Sequence, residues 1–155
     1  MDEKTNVMRL LDGKRIKYTA HCYLDSGAVS GADVAAALGQ EPGKVFKTLV
    51  TVSKAKKYYV FMVPVCGELN LKKAAAAVRE KSIAMIPQKE LLPLTGYIHG
   101  GCSPIGLKKP FPVGIDATCQ NYDTICCSAG KIGYQVELSV GDLGKMVRLT
   151  VADIL

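Results

Sequence analysis

The alternation of apolar and polar side chains along this chain predicts more strands than helices. Alternation places every second side chain on one face, as in a half-buried strand, whereas apolar residues three or four positions apart share one face of a helix. Strands are predicted over residues 16–23, 45–52, 58–63, 83–86, 113–117, 124–128 and 134–139, with a strand-like piece at the end of the chain. Helices are predicted over residues 5–11, 33–38, 71–80 and 87–92, with a late helix from Asp142.

The pair of strands at 45–52 and 58–63 is the clearest hairpin, because only the short basic turn 53–57 separates them. Strands and helices do not follow one another in a regular alternation, so a parallel sheet with crossover helices is not expected. The pattern instead predicts an α+β fold with a mixed, largely antiparallel, barrel-like sheet flanked by short helices. With 155 residues and no linker, the chain is expected to form one compact domain over residues 1–155.

Composition excludes several classes of protein. Apolar residues make up 48% of the chain and charged residues 22%, which is typical of a globular domain and not of a disordered one. No apolar run approaches the roughly 18–20 residues of a membrane-spanning helix. The polar start of the chain lacks the layout of a signal peptide, so a cytoplasmic protein is expected.

The six cysteines are expected to be free thiols. A chain of this length needs no disulfide framework, and a reducing compartment is expected. Four of them, Cys22, Cys66, Cys126 and Cys127, fall in apolar strand-like stretches, where a free cysteine behaves as a small buried hydrophobe. With two histidines and no C-x-x-C spacing, no metal site is expected.

Lys47 is a charged residue inside an otherwise apolar predicted strand. Since side chains alternate, it shares a face with Leu49 and Thr51. Its stem could pack while the ammonium reaches water, which is the ordinary behaviour of such a lysine. Alternatively, the ammonium stands at the mouth of a cavity and meets an anion or a developing oxyanion. The pattern alone leaves both interpretations open.

Residues 100–106, Gly-Gly-Cys-Ser-Pro-Ile-Gly, form a second candidate site. Paired glycines allow the backbone to approach a ligand closely and to offer N–H groups as donors, although a tight turn between elements is the more common explanation. Pro104 fixes the shape of this loop under either interpretation.

The net charge of +6 indicates the kind of partner. Basic clusters at 14–17, 54–57, 72–73 and 108–109 together favour a polyanion, held by its phosphates with an affinity that falls as salt rises. Aromatic residues are only 6% of the chain, so an extended platform for stacked bases is not evident.

Several motifs in order resemble the YbaK/EbsC family, whose members are free-standing relatives of the editing domain inserted in bacterial prolyl-tRNA synthetase. Each motif is weak by itself, but their order and spacing from about residue 7 to residue 154 make the set specific. The motifs are Val45-Phe46-Lys47-Thr48-Leu49, the 100–106 loop, Ser128-Ala129-Gly130-Lys131 with Gly133, Val136-Glu137-Leu138, and the segments 64–73 and 151–154.

The resemblance implies a hydrolase that deacylates mischarged aminoacyl-tRNA, most typically Cys-tRNA(Pro), with no metal and no other cofactor. It implies catalytic roles for Lys47 and Gly101, and contact with the acceptor end of the tRNA. Prolyl-tRNA synthetase is the implied partner. The substrate-binding positions that it implies are Tyr23, Gly100, Ser103, Ser128 and Gly130. Ser30 stands where relatives often carry an aromatic residue, which can alter the choice of amino acid.

In the mechanism that the resemblance implies, Lys47 anchors the aminoacyl group or the terminal ribose. Backbone N–H groups near Gly101 then steady the carbonyl oxygen. The substrate's own thiol attacks its carbonyl carbon and expels the tRNA, so the protein needs no nucleophile and its cysteines are bystanders. Two alternatives remain open at this point: a deacylase of other specificity, such as Ala-tRNA(Pro), and a non-catalytic module that binds tRNA or a synthetase.

Overall fold

Two sheets and five helices account for residues 4–155, the part of the chain that this computed structural model describes. The strands are β1 (Thr19–Cys22), β2 (Phe46–Ser53), β3 (Tyr58–Pro64), β4 (Ile83–Met85), β5 (Val113–Asp116), β6 (Ile125–Ser128), β7 (Tyr134–Leu138) and β8 (Leu149–Ala152). The helices are α1 (Asn6–Gly13), α2 (Gly31–Ala37), α3 (Leu71–Ala77), α4 (Leu91–Thr95) and α5 (Val140–Met146).

The larger sheet is built around the predicted hairpin. Its order is β4-β2-β3-β5-β8, with β2 antiparallel to both β3 and β4, and with β5 parallel to β3 and β8. One face packs on α3 through Phe61, Val63 and Ala74, and the other faces the main core around Val50 and Met62. Burial on both faces explains why β3 is apolar along its length and why β2 carries only one charged residue.

The smaller sheet has the order β1-β7-β6 and is antiparallel throughout. A single parallel bridge between Val45 and Cys126 joins it to the start of β2. The α+β class and the mixed, largely antiparallel pairing are confirmed. The two sheets do not close into a barrel, because only that bridge connects them within the described residues, so the barrel-like part of the prediction was an overstatement.

Capping side chains mark two of the helix starts, although α4 begins at Leu91, four residues later than predicted, and α5 begins at Val140, two residues earlier than predicted. Ser30 accepts a hydrogen bond from the backbone N–H of Asp33 at 3.1 Å, and Asn70 accepts one from the N–H of Lys73 at 3.0 Å. Both bonds satisfy an amide that the helix leaves without a partner. Helix α3 ends three residues earlier than predicted, and strand β1 begins three residues later than predicted.

The six cysteines are free, as expected, but they do not share one environment. Cys126 and Cys127 are buried in β6, whereas Cys22 and Cys66 are exposed. The prediction that all four are buried hydrophobes is therefore wrong for Cys22, at the end of β1, and for Cys66, in the turn after β3. Both lie where an apolar stretch leaves the sheet. Within residues 4–155, no helix has the length and apolar character needed to cross a membrane.

Candidate active site

A cavity of about 150 Å³ lies where the start of β2 meets the smaller sheet. Its wall also includes the segment after β1, the start of α2, and the loop around residues 99–102. Apolar side chains such as Phe46, Val34 and Val65 form much of the surface, and a few polar groups converge on it. A small, mainly apolar pocket with a few placed polar groups is typical of a site for a small organic group.

Four of the seven residues predicted to form the site line this cavity. They are Tyr23, Lys47, Gly100 and Ser128. They come from four separate segments of the chain, and the two sheets bring them together. Gly100 has a φ of +88°, a left-handed conformation that a residue with a side chain rarely adopts.

Gly101 lies behind the cavity wall and not in it. Its N–H donates to the carbonyl of Ile98 at 3.0 Å, so that amide is already used in a turn. A Cβ atom at Gly101 would lie 3.3 Å from the backbone nitrogen of Ile132, which is a tight approach. Gly101 therefore allows the 100–101 turn to contact the 131–133 turn. The flanking residues Gly100 and Cys102 both line the cavity, and neither backbone N–H has a backbone acceptor within residues 4–155.

Ser103 and Gly130 also lie outside the wall. Ser103 is fully buried, and its hydroxyl accepts from the N–H of Ile105 at 3.2 Å, which holds the loop closed. Gly130 has a φ of +90° and donates its N–H to the hydroxyl of Ser128 at 3.1 Å. A Cβ at Gly130 would lie 2.9 Å from the Tyr97 ring, so a larger residue would displace that ring. Both residues shape the elements that line the cavity.

Lys47 is held at the cavity and does not extend freely into solvent. Its side chain is 31% exposed, and its ammonium lies 3.6 Å from a carboxylate oxygen of Glu68, a residue that is 93% exposed. An ion pair with a partner so exposed contributes little to stability, so an incoming anion can displace Glu68. The second interpretation of Lys47, a cation at the mouth of a cavity, matches this geometry.

Thr48 is a polar wall residue that the sequence did not single out. Its hydroxyl oxygen is buried and has no hydrogen-bond partner within residues 4–155. Leaving a buried hydroxyl unpaired costs about 1–3 kcal/mol in the free protein. No sequence signal marks this residue, since threonine is ordinary in a strand.

Gln135 forms another part of the wall and was also missed. It is almost fully buried and exchanges two hydrogen bonds with Gln40. The Gln40 amide donates to Oε1 of Gln135 at 2.7 Å, and the Gln135 amide donates back to Oε1 of Gln40 at 3.1 Å. This reciprocal pair fixes the loop after α2 against β7. It keeps that side of the cavity polar but uncharged.

Two of the cysteines lie in the cavity wall. Burial raises the pKa of Cys102 to about 12, and burial likewise raises the pKa of Cys127 to about 12. Both are therefore neutral thiols near neutral pH, and a neutral thiol is a poor nucleophile. His99 is also in the wall, at the start of the glycine-rich loop.

A charged network lies beside the cavity, on the face of the smaller sheet that carries Gln135. The carboxylate of Glu137 accepts hydrogen bonds from Lys44 at 2.8 Å and from Thr124 at 2.5 Å, and it lies 2.8 Å from Nε2 of His21. The hydrogen bond from Lys44 is the main reason that the pKa of Glu137 falls to about 2. One cation therefore already balances this carboxylate.

The same network holds the one set of metal-ligating side chains found within residues 4–155. The ligand atoms of His21, Cys126 and Glu137 lie within 4.8 Å of one another. However, the ammonium of Lys44 occupies one side of the carboxylate. Burial also raises the pKa of Cys126 to about 12, which favours the thiol over the thiolate that binds metals. The group is better described as a hydrogen-bonded network between β1, β6 and β7.

Comparison with solved structures shows the same fold in other proteins. A structure described provisionally as a trans-editing enzyme for prolyl-tRNA synthetase matches with a TM-score of 0.82 and 23% identity, over 98% of each chain. A hypothetical protein, APE2540, matches with a TM-score of 0.86 and 21% identity, over 96% of this chain and 97% of its own. At these identities, the likeness concerns the fold alone.

Comparison of sequences identifies the family. A protein of Enterococcus faecalis (strain ATCC 700802 / V583), provisionally named the Cys-tRNA(Pro)/Cys-tRNA(Cys) deacylase EbsC, is 44% identical over 138 residues. The aligned part covers 88% of this chain and 84% of that protein. The family model of the aminoacyl-tRNA editing domain matches residues 25–146, a range that contains the whole cavity wall apart from Tyr23. The chain is therefore a member of the aminoacyl-tRNA editing domain family.

Proposed function

We propose that this protein hydrolyses the ester bond of mischarged aminoacyl-tRNA, with Cys-tRNA(Pro) as its main substrate. The observation that carries the proposal is the position of Lys47 in the wall of a cavity of about 150 Å³. A cavity of roughly that size holds a molecule such as benzene. It therefore suits the aminoacyl group of a small amino acid, with a cation beside the scissile ester.

In this mechanism, Lys47 and the amides of the glycine-rich loop contact different parts of the ester. The Lys47 ammonium anchors the ester and the terminal ribose at the mouth. The N–H groups of Gly100 and Cys102, on either side of Gly101, donate to the carbonyl oxygen as negative charge develops on it. Gly101 contributes by allowing the turn that aims these two amides.

The nucleophile is the thiol of the substrate. Its sulfur attacks the carbonyl carbon, the bond from that carbon to the ribose oxygen breaks, and the thiol proton passes to that departing oxygen, which leaves as the ribose hydroxyl. Water then opens the resulting cyclic thioester and releases cysteine. Attack within one molecule benefits from a high effective concentration, so neither a catalytic triad nor a metal is needed.

The other predicted residues either bind the substrate or hold the loops of the site in shape. Tyr23 and Ser128 contact the aminoacyl group, while Ser103 and Gly130 hold the two loops in place. We also propose that residues 1–155 form one editing domain. The domain takes its tRNA specificity in part from prolyl-tRNA synthetase, because a protein of this size reaches the acceptor end but not the anticodon.

The deciding experiment compares Cys-tRNA(Pro) and Ala-tRNA(Pro) as substrates of the purified protein and of Lys47→Ala. Thiol-assisted hydrolysis predicts fast release of cysteine, slow release of alanine, and loss of both rates in the variant. Preference for Ala-tRNA(Pro) would instead make the protein an alanine deacylase. Salt-dependent binding of tRNA with both esters left intact for hours would make it a binding module.

A further inference from the structure

Three exposed aliphatic side chains lie in the cavity wall or next to its residues, those of Leu24, Val29 and Ile132. They are 52%, 80% and 42% exposed, respectively. Single exposed aliphatic residues are ordinary on protein surfaces, whereas a group of them beside a site marks a surface that contacts a ligand. We call these three residues the aliphatic rim.

Contacts with two glycine turns hold the rim beside the cavity. Val29 is itself in the cavity wall. Ile132 packs over Gly100, which also lines the wall, with its Cδ1 atom 3.6 Å from the position that a Cβ would take there. Leu24 packs so closely over Gly133 that any side chain at that glycine would collide with it. Leu24 also follows Tyr23 of the cavity wall directly in the chain, so each of the three residues lies in the wall or adjoins a residue of it.

The size of the cavity decides which part of an aminoacyl-tRNA meets the rim. Pockets that enclose a drug-sized ligand usually have volumes of about 300–1,000 Å³, well above this one. The aminoacyl group fits inside, and the nucleoside that carries the ester does not. With the ester carbonyl beside Lys47, the base of the terminal nucleotide must lie just outside the mouth, where the rim stands.

We propose that the aliphatic rim binds the face of the terminal adenine of the tRNA, an inference that rests on the proposed function. A base presents a flat, weakly hydrated face, which apolar side chains cover favourably. Positive charge near the rim suits the adjoining phosphates. Lys47 lies in the cavity wall, and the ammonium of Lys131, the residue before Ile132, lies 5.8 Å from the centre of the Tyr134 ring in that wall.

A protein partner fits the rim less well than a base. A stable protein interface buries about 800 Å² on each partner, far more than three side chains offer. A single base, in contrast, presents one small face that a few side chains can cover. Docking of a synthetase on the rim is therefore an outcome for the experiment to exclude.

The experiment uses three esters of cysteine: Cys-tRNA(Pro), cysteinyl-adenosine, and cysteine ethyl ester, which has no base. The variants are Ile132→Ser, Leu24→Ser and the double variant. Met85→Ser is the matched control, because Met85 is 44% exposed and pairs with Thr51 on β2, well along the strand from Lys47. All assays are run without a synthetase, and then repeated with prolyl-tRNA synthetase present.

Loss of base contacts should lower kcat/KM about tenfold for Cys-tRNA(Pro) and for cysteinyl-adenosine in the double variant. The rate with cysteine ethyl ester should stay within twofold of the parent, and Met85→Ser should match the parent on all three esters. Equal losses on all three esters, or none, would overturn the proposal. A loss seen only with the synthetase present would show a protein contact instead. Failure of the parent protein to hydrolyse any ester would refute the proposed function, a result distinct from these.

Discussion

The ammonium of Lys47 and the carboxylate of Glu68 lie 3.6 Å apart, and only the lysine is substantially shielded from water. An exposed ion pair of this kind contributes about 0–1 kcal/mol, because water and salt screen it. Lys47 can therefore exchange this partner for a substrate without loss of fold stability.

Lys47→Met should lower the rate of Cys-tRNA(Pro) deacylation at least 100-fold and leave the melting temperature within about 2 °C of the parent. Methionine keeps the apolar stem and removes the charge, so packing is preserved while the stabilisation of a developing oxyanion is lost. Single-turnover deacylation and thermal denaturation measure the two effects.

Glu68→Gln is the matched control for Lys47→Met. It removes the charge on the other side of the same ion pair, and it should change the deacylation rate less than threefold. A rate for Lys47→Met near that of the parent would remove the lysine from the mechanism. A loss in Glu68→Gln as large as in Lys47→Met would show that the pair acts as a unit.

Thr48→Val should reduce activity while leaving stability equal or higher. Valine has nearly the same shape but lacks the buried hydroxyl that has no partner in the free protein. The free energy of unfolding should therefore rise by about 1–3 kcal/mol at most, because the penalty for the unpaired hydroxyl is removed. If that hydroxyl pairs with the substrate, kcat/KM should fall about tenfold. Urea denaturation and steady-state kinetics test both parts, and a variant with lower stability and unchanged kinetics would contradict them.

Cys127→Ala and Cys102→Ala should each retain deacylation within about threefold. Burial raises the pKa of both thiols to about 12, so neither supplies an attacking thiolate near neutral pH. Removal of a buried sulfur should cost about 1 kcal/mol of stability. Mass spectrometry of protein quenched during turnover should show no cysteinyl-enzyme. A trapped acyl group on either thiol would replace the substrate-thiol mechanism with a covalent one.

Glu137→Gln should destabilise the protein by about 1.5–3 kcal/mol at pH 7, since it weakens charge-assisted hydrogen bonds from Lys44 and Thr124. The pKa of Glu137 is lowered from 4.5 to about 2. Its contribution to stability is therefore fully present above about pH 4.5 and is lost as the pH falls towards 2. Denaturation curves of parent and variant should converge over that interval. A difference in stability that is independent of pH would contradict the assignment.

Metal addition provides a test of the same network. Lys44 already balances the Glu137 carboxylate, so addition of Zn²⁺ should not raise the melting temperature of the parent. Differential scanning fluorimetry with and without a chelator measures this. A rise that disappears in Cys126→Ala would show that His21, Cys126 and Glu137 bind the ion.

The features that could be predicted from the sequence are those that depend on neighbouring residues. Apolar periodicity located the β2–β3 hairpin, and the side chains of Ser30 and Asn70 cap α2 and α3 through bonds to amides three residues along the chain. Lys47 stood out because a charge interrupts an apolar strand. Each of these follows from backbone geometry and hydrogen bonding over a few residues.

The composition of the site depends on contacts between segments far apart in the chain. A motif places Gly100 and Gly101 side by side, but only the packing of the 131–133 turn leaves one in the cavity wall and the other behind it. Thr48 and Gln135 carry no local signal, and they come to share one cavity wall only when the two sheets pack together. Local periodicity specifies where a strand runs and which way its side chains point, whereas the neighbours of those side chains are set only when the two sheets pack.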